Sequence, residues 1–361
     1  MAKWFTSKKK IGCAVPEHGT VRRVTRNPFA KGDDCVIVGS NPFFGGLGLG
    51  HVEGLNSGDV VKVFPDGRIL RIWDATSIHN SLFVTSACNY RCDMCPQPPE
   101  CDCTEQHDEN VRVLNLLKSG SVEMIGITGG EPTLYPDRLI EYFEIINERF
   151  PSARVEILTN GSPLSDFDVA KRLALTAPLD VCYCVSLHGD TAELAEQIMH
   201  CKGGWNNALH GMINLAKLKQ PIEVRVVVTR RNASYLRDIA LFVYRNFPFI
   251  SHIAFMGQEI VGEARKNFSK IWVEPLSYAS SLADAVEYLA AMNMNVSIYN
   301  LPLCLLPERV WRYAARSISD WKQTYRGECD SCGMKENCCG FFATSGECVP
   351  EGIHALAVKG G

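Results

Sequence analysis

From Ser81 onward the chain alternates short apolar runs with stretches whose apolar residues recur at helical spacing. That rhythm predicts repeated βα units on a parallel sheet. The expected strands are Ser81–Ser86, Val122–Thr128, Val155–Thr159, Asp180–Ser186, Ile222–Val228 and Ser251–Met256, with helices between them such as Leu164–Leu175 and Asn206–Leu218. About six units make an α/β fold, a partial parallel (β/α)6 barrel short of the eight-unit closed form.

The two ends of the chain have a different texture. Val60–Phe64, the turn Pro65-Asp66-Gly67 and Arg68–Trp73 predict a β-hairpin. With Val36–Gly39 and many glycines nearby, residues 1–80 form an expected β-rich N-terminal subdomain. The Gly45–Gly50 run lacks the strand–helix context of a dinucleotide fingerprint. The barrel is expected over 81–292, followed by a C-terminal cysteine-rich segment over 293–361. There Asn295–Tyr299 predicts a short strand, and Trp311, Ala314, Ile318, Trp321 and Tyr325 keep the spacing of a single helix.

Of the 361 residues, 46% are hydrophobic and 21% charged, which supplies a large core. A formal net charge of −3 gives no sign of a nucleic-acid surface, and Lys8-Lys9-Lys10 is too short a run to change that. No apolar run reaches the ~18 residues of a membrane span, and Met1–Pro16 lacks the apolar core of a secretory signal. Sixteen cysteines in such a chain point to metal and redox chemistry in a reducing, cytoplasmic compartment, not to a disulfide framework.

Cys88, Cys92 and Cys95 follow the first expected strand as C-x3-C-x2-C. Three thiolates this close can hold three corners of a [4Fe–4S] cluster and leave one iron open, as a catalytic metal requires. Zinc usually takes C-x2-C pairs, for which this spacing is awkward. Gly129-Gly130-Glu131-Pro132 follows the second strand. Paired glycines let backbone approach a ligand closely, and the Glu131 carboxylate can accept hydrogen bonds from an ammonium. Thr159-Asn160-Gly161 follows the third strand and Ser186-Leu187-His188-Gly189 the fourth. Every polar candidate therefore lies at a strand's carboxyl end, where barrel enzymes build their sites.

These motifs resemble the radical S-adenosylmethionine (radical SAM) superfamily. In that superfamily the three cysteines hold the cluster, and a Gly-Gly-Glu-Pro segment binds the methionyl amino group of S-adenosylmethionine. The resemblance implies ribose or carboxylate contacts for Asn160 and Ser186, although turn-forming Asn-Gly also accounts for Asn160. Met94 stands where the superfamily often has an aromatic, and as a soft side chain it can pack on adenine. Strand alternation puts Cys182, Cys184 and Ser186 on one face of their strand, and Glu223 and Arg225 on one face of the next. Two charges there are costly unless paired or lining a cavity. Arg225 thus reads either as a ligand for the cofactor's carboxylate or as the ion-pair partner of Glu223. Cys182 and Cys184 read as small buried thiols rather than ligands, and His188 as a loop residue or one supporting the site from behind, with a catalytic base as the alternative.

Near the carboxyl end, Cys304 and the run Cys329-x2-Cys332-x5-Cys338 supply four candidate ligands for a second, closed iron–sulfur cluster. Four cysteines also suit zinc; a first cluster in the same chain favours iron–sulfur. Cys339 competes with Cys338 as the ligand, while Cys13, Cys35, Cys201 and Cys348 look incidental. Cys101 and Cys103 have no assigned role.

From about Ser81 to Phe342 the chain is similar to one group within the superfamily, the maturases encoded beside peptides with His-Xaa-Ser repeats. The carrying stretches are T-S-A-C-N-Y-R-C-D-M-C-P-Q-P-P, I-T-G-G-E-P-T-L, M-N-V-S-I-Y-N-L-P-L-C and R-S-I-S-D-W-K, then C-x2-C-x5-C and G-F-F. The resemblance implies reductive cleavage of S-adenosylmethionine to a 5′-deoxyadenosyl radical that abstracts hydrogen from the substrate. It also implies a ribosomally made precursor peptide as that substrate, a second radical SAM maturase as a partner, and an electron donor such as flavodoxin or ferredoxin. Two other classes stay open. One is a radical enzyme acting on a small molecule or nucleoside precursor. The other is a non-catalytic iron–sulfur scaffold, which would leave the open iron site and Gly-Gly-Glu-Pro without a purpose.

Overall fold

The computed structural model describes residues 3–6, 19–27, 34–37, 47–50, 54–102 and 104–357. Lys8–Lys10, Cys13, Cys103, and parts of Met1–Pro16, Val36–Gly39 and Gly45–Gly50 lie outside the described residues.

Six strands precede the barrel: β1 (Lys3–Thr6), β2 (Thr20–Thr25), β3 (Asp34–Ile37), β4 (Leu47–Gly50), β5 (Val60–Val63) and β6 (Arg68–Trp73). They form one sheet in the order β1-β6-β5-β2-β3-β4. The expected hairpin is β5–β6, antiparallel with Val63 opposite Ile69. Gly67 turns it at φ +87°, a conformation open to glycine, and Asp66 accepts from the Arg68 N–H at 3.0 Å.

The central sheet is parallel and seven-stranded: β7 (Ser81–Phe83), β8 (Met124–Thr128), β9 (Arg154–Thr159), β10 (Val181–Ser186), β11 (Ile222–Val227), β12 (His252–Met256) and β13 (Val296–Tyr299), in unbroken chain order. Between them run α1 (Thr104–Leu116), α2 (Pro136–Arg149), α3 (Phe167–Thr176), α4 (Ala192–Met199), α5 (Gly204–Lys217), α6 (Leu236–Asn246), the short α7 (Glu263–Lys266) and α8 (Phe268–Ile271), and α9 (Pro275–Ala291). The face toward the helices carries Val155, Ile157, Val181, Tyr183, Val185, Val224, Val226, Ile253 and Phe255, all buried in one core. Each such side chain contributes about 1.5–3 kcal/mol on burial. Val21, Val60 and Trp73 join that same core, and Arg112 of α1 donates to the Val21 carbonyl at 2.9 Å. The N-terminal sheet is thus continuous in packing with the barrel helices.

The short strand Val296–Tyr299 pairs in parallel with β12 and is the seventh strand of the sheet. One expectation needs correction. The spacing from Trp311 to Tyr325 does not form one helix. Residues Glu308–Tyr313 make a 3-10 turn, then Ala314 extends and bridges Ile298 beside β13. Strand pairing at the open sheet edge overrides the local helical pattern. Two further short strands, β14 (Gln323–Thr324) and β15 (Phe341–Phe342), pair with each other in the cysteine-rich segment.

Candidate functional site

The loop leaving β7 carries Cys88, Cys92 and Cys95, and its backbone is held from several sides. Arg91 N–H donates to Met199 O at 3.1 Å and Asp93 N–H to Ile198 O at 3.0 Å, both at the end of α4. Glu263 N–H of α7 donates to Cys95 O at 2.9 Å, and Glu100 N–H closes the loop neck on Ser86 O at 2.9 Å. Tyr90 is buried within the loop beside Ala195 and Met199, its hydroxyl donating to Gly204 O at 2.8 Å. Met94 packs against Ile198, Ala264 and Ile271.

The three thiols share one neighbourhood. Burial pushes Cys88 up; it pushes Cys95 up to about 11; and it raises Cys92 further with the help of the adjacent Cys95 and Cys88 sulfurs. Their thiolates are therefore costly until a cation shares their charge. The Cys88 sulfur also receives the Tyr90 N–H at 3.4 Å.

Gly129 and Gly130 serve this loop directly. Gly130 N–H donates to Thr85 O at 2.7 Å and Glu131 N–H to Ala87 O at 2.8 Å. A Cβ on Gly130 would lie 2.1 Å from Ala87 O, and one on Gly129, at φ +156°, would lie 2.6 Å from Thr85 O. The paired glycines let one loop's backbone lie against the other's. Pro132 opens a buried 3-10 turn.

The Glu131 side chain points inward and is fully buried. Its Oε1 accepts from Thr133 N at 2.9 Å, Thr133 Oγ1 at 2.6 Å and Thr159 Oγ1 at 2.6 Å. Its Oε2 accepts from Asn160 N at 2.6 Å. Burial raises this carboxyl, and these donors oppose the rise. The carboxylate thus ties the loop after β8 to the loop after β9. Asn160 continues the chain of contacts: its Nδ2 donates to Asn89 Oδ1 at 2.8 Å and lies 3.9 Å from the Cys88 sulfur.

Ser186 ends β10 in register with Arg225 of β11. On that face the strands bring Glu156, Cys182, Cys184, Glu223, Arg225, His252 and Ser297 together. Arg225 Nε donates to Glu223 Oε1 at 2.5 Å and Nη2 to Glu156 Oε2 at 3.1 Å. His252 bridges Glu223 Oε2 at 2.8 Å and Ser297 Oγ at 2.9 Å. Burial alone would raise the Glu223 carboxyl, but the His252 hydrogen bond and the Arg225 guanidinium outweigh it and bring it down to about 2. Two carboxylates already answer the one guanidinium, which is the geometry of the ion-pair alternative. His188 is buried, with Nδ1 3.4 Å from the Val227 N–H, and burial lowers it to about 4.

In the C-terminal segment the Cys304 thiol is raised by burial and by the nearby Cys338 and Cys329 sulfurs. Backbone N–H groups of Leu303 and Gly340 point at Cys338 Sγ at 3.4 and 3.5 Å, and that of Leu356 at Cys332 Sγ at 3.4 Å. Cys338 is drawn down to about 6, first by the Cys339 thiol and then by these N–H groups. Cys339 is buried with Ile318 and Phe342. Among the described residues no three His, Cys, Asp or Glu side chains sit close enough to share a single metal ion. Thiolates of a four-iron cluster stand wider apart, because iron and sulfide lie between them.

Sequence reasoning overlooked Thr133, Glu156 and His252, and gave Thr159 no role of its own. The period-two pattern that singled out Glu223 also holds Glu156 and His252 on the same face of their strands.

A cysteine loop and a Gly-Gly-Glu-Pro loop thus pack together at the carboxyl end of a parallel sheet. Residues 82–243 match the radical SAM superfamily. The chain is 31% identical over 172 residues to mycofactocin maturase MftC of Mycobacterium tuberculosis (strain CDC 1551 / Oshkosh), covering 45% of this chain and 40% of that one. It is 25% identical over 170 residues to an S-adenosylmethionine-dependent nucleotide dehydratase of a Thermoplasmatales archaeon (strain ISO4-H5), covering 46% and 58% respectively. The chain thus spans between 40% and 58% of these two relatives. Among solved structures, Streptococcus suis SuiB bound to precursor peptide SuiA aligns over 61% of this chain and 47% of that one, at 16% identity and a TM-score of 0.47. No helix among the described residues is long and apolar enough to cross a membrane.

Proposed function

We propose that this protein is a radical SAM enzyme that modifies a ribosomally made peptide. The carrying observation is the contact between the cysteine loop and Gly129–Glu131, at the carboxyl end of the sheet. Cys88, Cys92 and Cys95 are the ligands of a [4Fe–4S] cluster whose fourth iron is left for S-adenosylmethionine. Their raised thiols and the absence of a fourth cysteine ligand in the motif suit an iron-bound trio with an open position. When bound, the cluster and cofactor supply a 5′-deoxyadenosyl radical by one-electron reduction of the sulfonium.

The chain's own residues position and enclose. The backbone of Gly129–Pro132, with Asn160 and Ser186 at neighbouring strand ends, meets the cofactor. Glu131 sets the distance between two of those loops from inside. Arg225 braces the sheet's polar face through Glu223 and Glu156. Cys304, Cys329, Cys332 and Cys338 take a second cluster. Cys338 is preferred over Cys339 because its sulfur collects two backbone N–H groups while Cys339 sits among apolar side chains.

The maturase relative and the similarity to the His-Xaa-Ser group support a peptide substrate, with a second maturase and a flavodoxin or ferredoxin as partners in the cytoplasm. The nucleotide dehydratase relative supports a small-molecule reading instead. Anaerobic turnover with a His-Xaa-Ser repeat peptide and, separately, with nucleoside triphosphates separates them. A peptide mass change dependent on S-adenosylmethionine is expected; consumption of a nucleotide with the peptide untouched overturns the peptide assignment.

A further inference from the structure

Asp102 lies just past the cysteine loop and has no part in the site described above. Its Oδ1 accepts from Thr85 Oγ1 at 2.5 Å and from Arg138 Nη1 at 2.9 Å, and its Oδ2 from Arg138 Nη2 at 2.6 Å. The guanidinium also donates to Val84 O at 3.3 Å and lies over the Tyr135 ring at 4.2 Å. Thr85 is buried, and its hydroxyl accepts from Ala87 N at 3.0 Å. One carboxylate therefore joins three places: the end of β7, the far end of the cysteine loop, and α2, the helix that follows Gly-Gly-Glu-Pro.

We propose that Asp102 and Arg138 form a clasp that fixes the cysteine loop in its cluster-binding shape before iron arrives. The inference rests on the assignment of Cys88, Cys92 and Cys95 as cluster ligands. Closing the loop costs conformational entropy in the metal-free chain. Something other than the metal must hold the neck shut. Among the described residues, one backbone bond, Glu100 N–H to Ser86 O at 2.9 Å, crosses the neck directly. The bidentate pair lies beside it, with side chains 19% and 12% exposed, shielded enough for its charges to matter. Its planar fork also sets direction, so the loop returns at one angle to α2. Asp102 and Arg138 are positioning residues, acting on the cluster through the loop.

The test uses the full chain, metal-free and reconstituted, as unaltered protein and as Asp102→Asn, Arg138→Met and, for a surface control, Arg309→Met. Arg309 also uses both ends of its guanidinium in ion pairs, but on other elements and to two exposed carboxylates, Glu287 at 2.6 Å and Asp284 at 2.9 Å. In metal-free Asp102→Asn and Arg138→Met, amide hydrogen exchange over residues 86–101 should quicken by about tenfold, as loss of one charge-assisted bond predicts. Amides of β10 and β11 should keep their rates. In the reconstituted proteins, iron release to a chelator should quicken in the same two variants and not in Arg309→Met. Unchanged loop exchange, or a uniform rise across the whole sheet, overturns the clasp. Iron-free unaltered protein after reconstitution would instead overturn the cluster assignment, leaving the exchange result to judge the clasp alone.

Discussion

Replacing Glu131 with Gln probes the inward carboxylate most sharply. The substituted amide can keep one oxygen toward Thr133 N, Thr133 Oγ1 and Thr159 Oγ1, but its NH2 then faces the Asn160 N–H that now donates at 2.6 Å. One charge-assisted hydrogen bond is lost, at about 1.5–3 kcal/mol, and a buried N–H is left unpaired, at about 1–3 kcal/mol. Rotation of the two threonine hydroxyls recovers part of this, so a net loss of about 3 kcal/mol is expected. With urea m-values of about 1–3 kcal/mol/M, the unfolding midpoint should fall by about 1 M or more. The assay is equilibrium urea unfolding of metal-free, cofactor-free protein, followed by tryptophan fluorescence. If the midpoint stays put while S-adenosylmethionine affinity collapses, the carboxylate faces the ligand and the structural argument is wrong.

Three other outcomes follow from the same geometry. Gly130→Ala should lower stability by about 1–3 kcal/mol through overpacking against Ala87 O, and cofactor binding should weaken with it; a normal urea midpoint would contradict this. Arg225→Ala leaves Glu223 and Glu156 without their guanidinium and should cost about 3–5 kcal/mol; intact stability with weakened cofactor binding would make Arg225 a ligand instead. Stability should fall on acidification in two windows. His188, folded pKa lowered to about 4, binds protons more readily when unfolded, so its contribution is lost as pH falls from about 6.5 toward 4. Glu223, lowered to about 2, contributes above about 4.5 and is lost as pH falls toward 2. His188→Asn should therefore flatten the profile above pH 4 only, which pH-dependent urea titrations check.

The strand pattern was legible because apolar runs of the right length are hard to disguise: β8 through β12 lie within two residues of their expected bounds. The seventh strand was visible as Asn295–Tyr299, but its membership in the sheet depends on pairing with β12, which no local pattern encodes. The spacing from Trp311 to Tyr325 misled because Ala314 answers to Ile298 rather than to its own turn. Site location was readable from motif order along the strands. What each motif does was less so. Gly-Gly-Glu-Pro reads locally as a ligand loop, and nothing in that reading shows that its glycines and Glu131 also contact Thr85, Ala87, Thr133, Thr159 and Asn160. Those partners come from other loops, and only the fold puts them within reach. Asp102 and Arg138 were silent for the same reason.

The most direct test of the account is 5′-deoxyadenosine formation by anaerobically reconstituted protein given S-adenosylmethionine and a strong reductant, compared with the triple variant Cys88→Ala, Cys92→Ala, Cys95→Ala. Product is expected from the unaltered protein and none from the variant, even if iron persists at Cys304, Cys329, Cys332 and Cys338. Equal product from both, or none from unaltered protein that holds iron and cofactor, would contradict it.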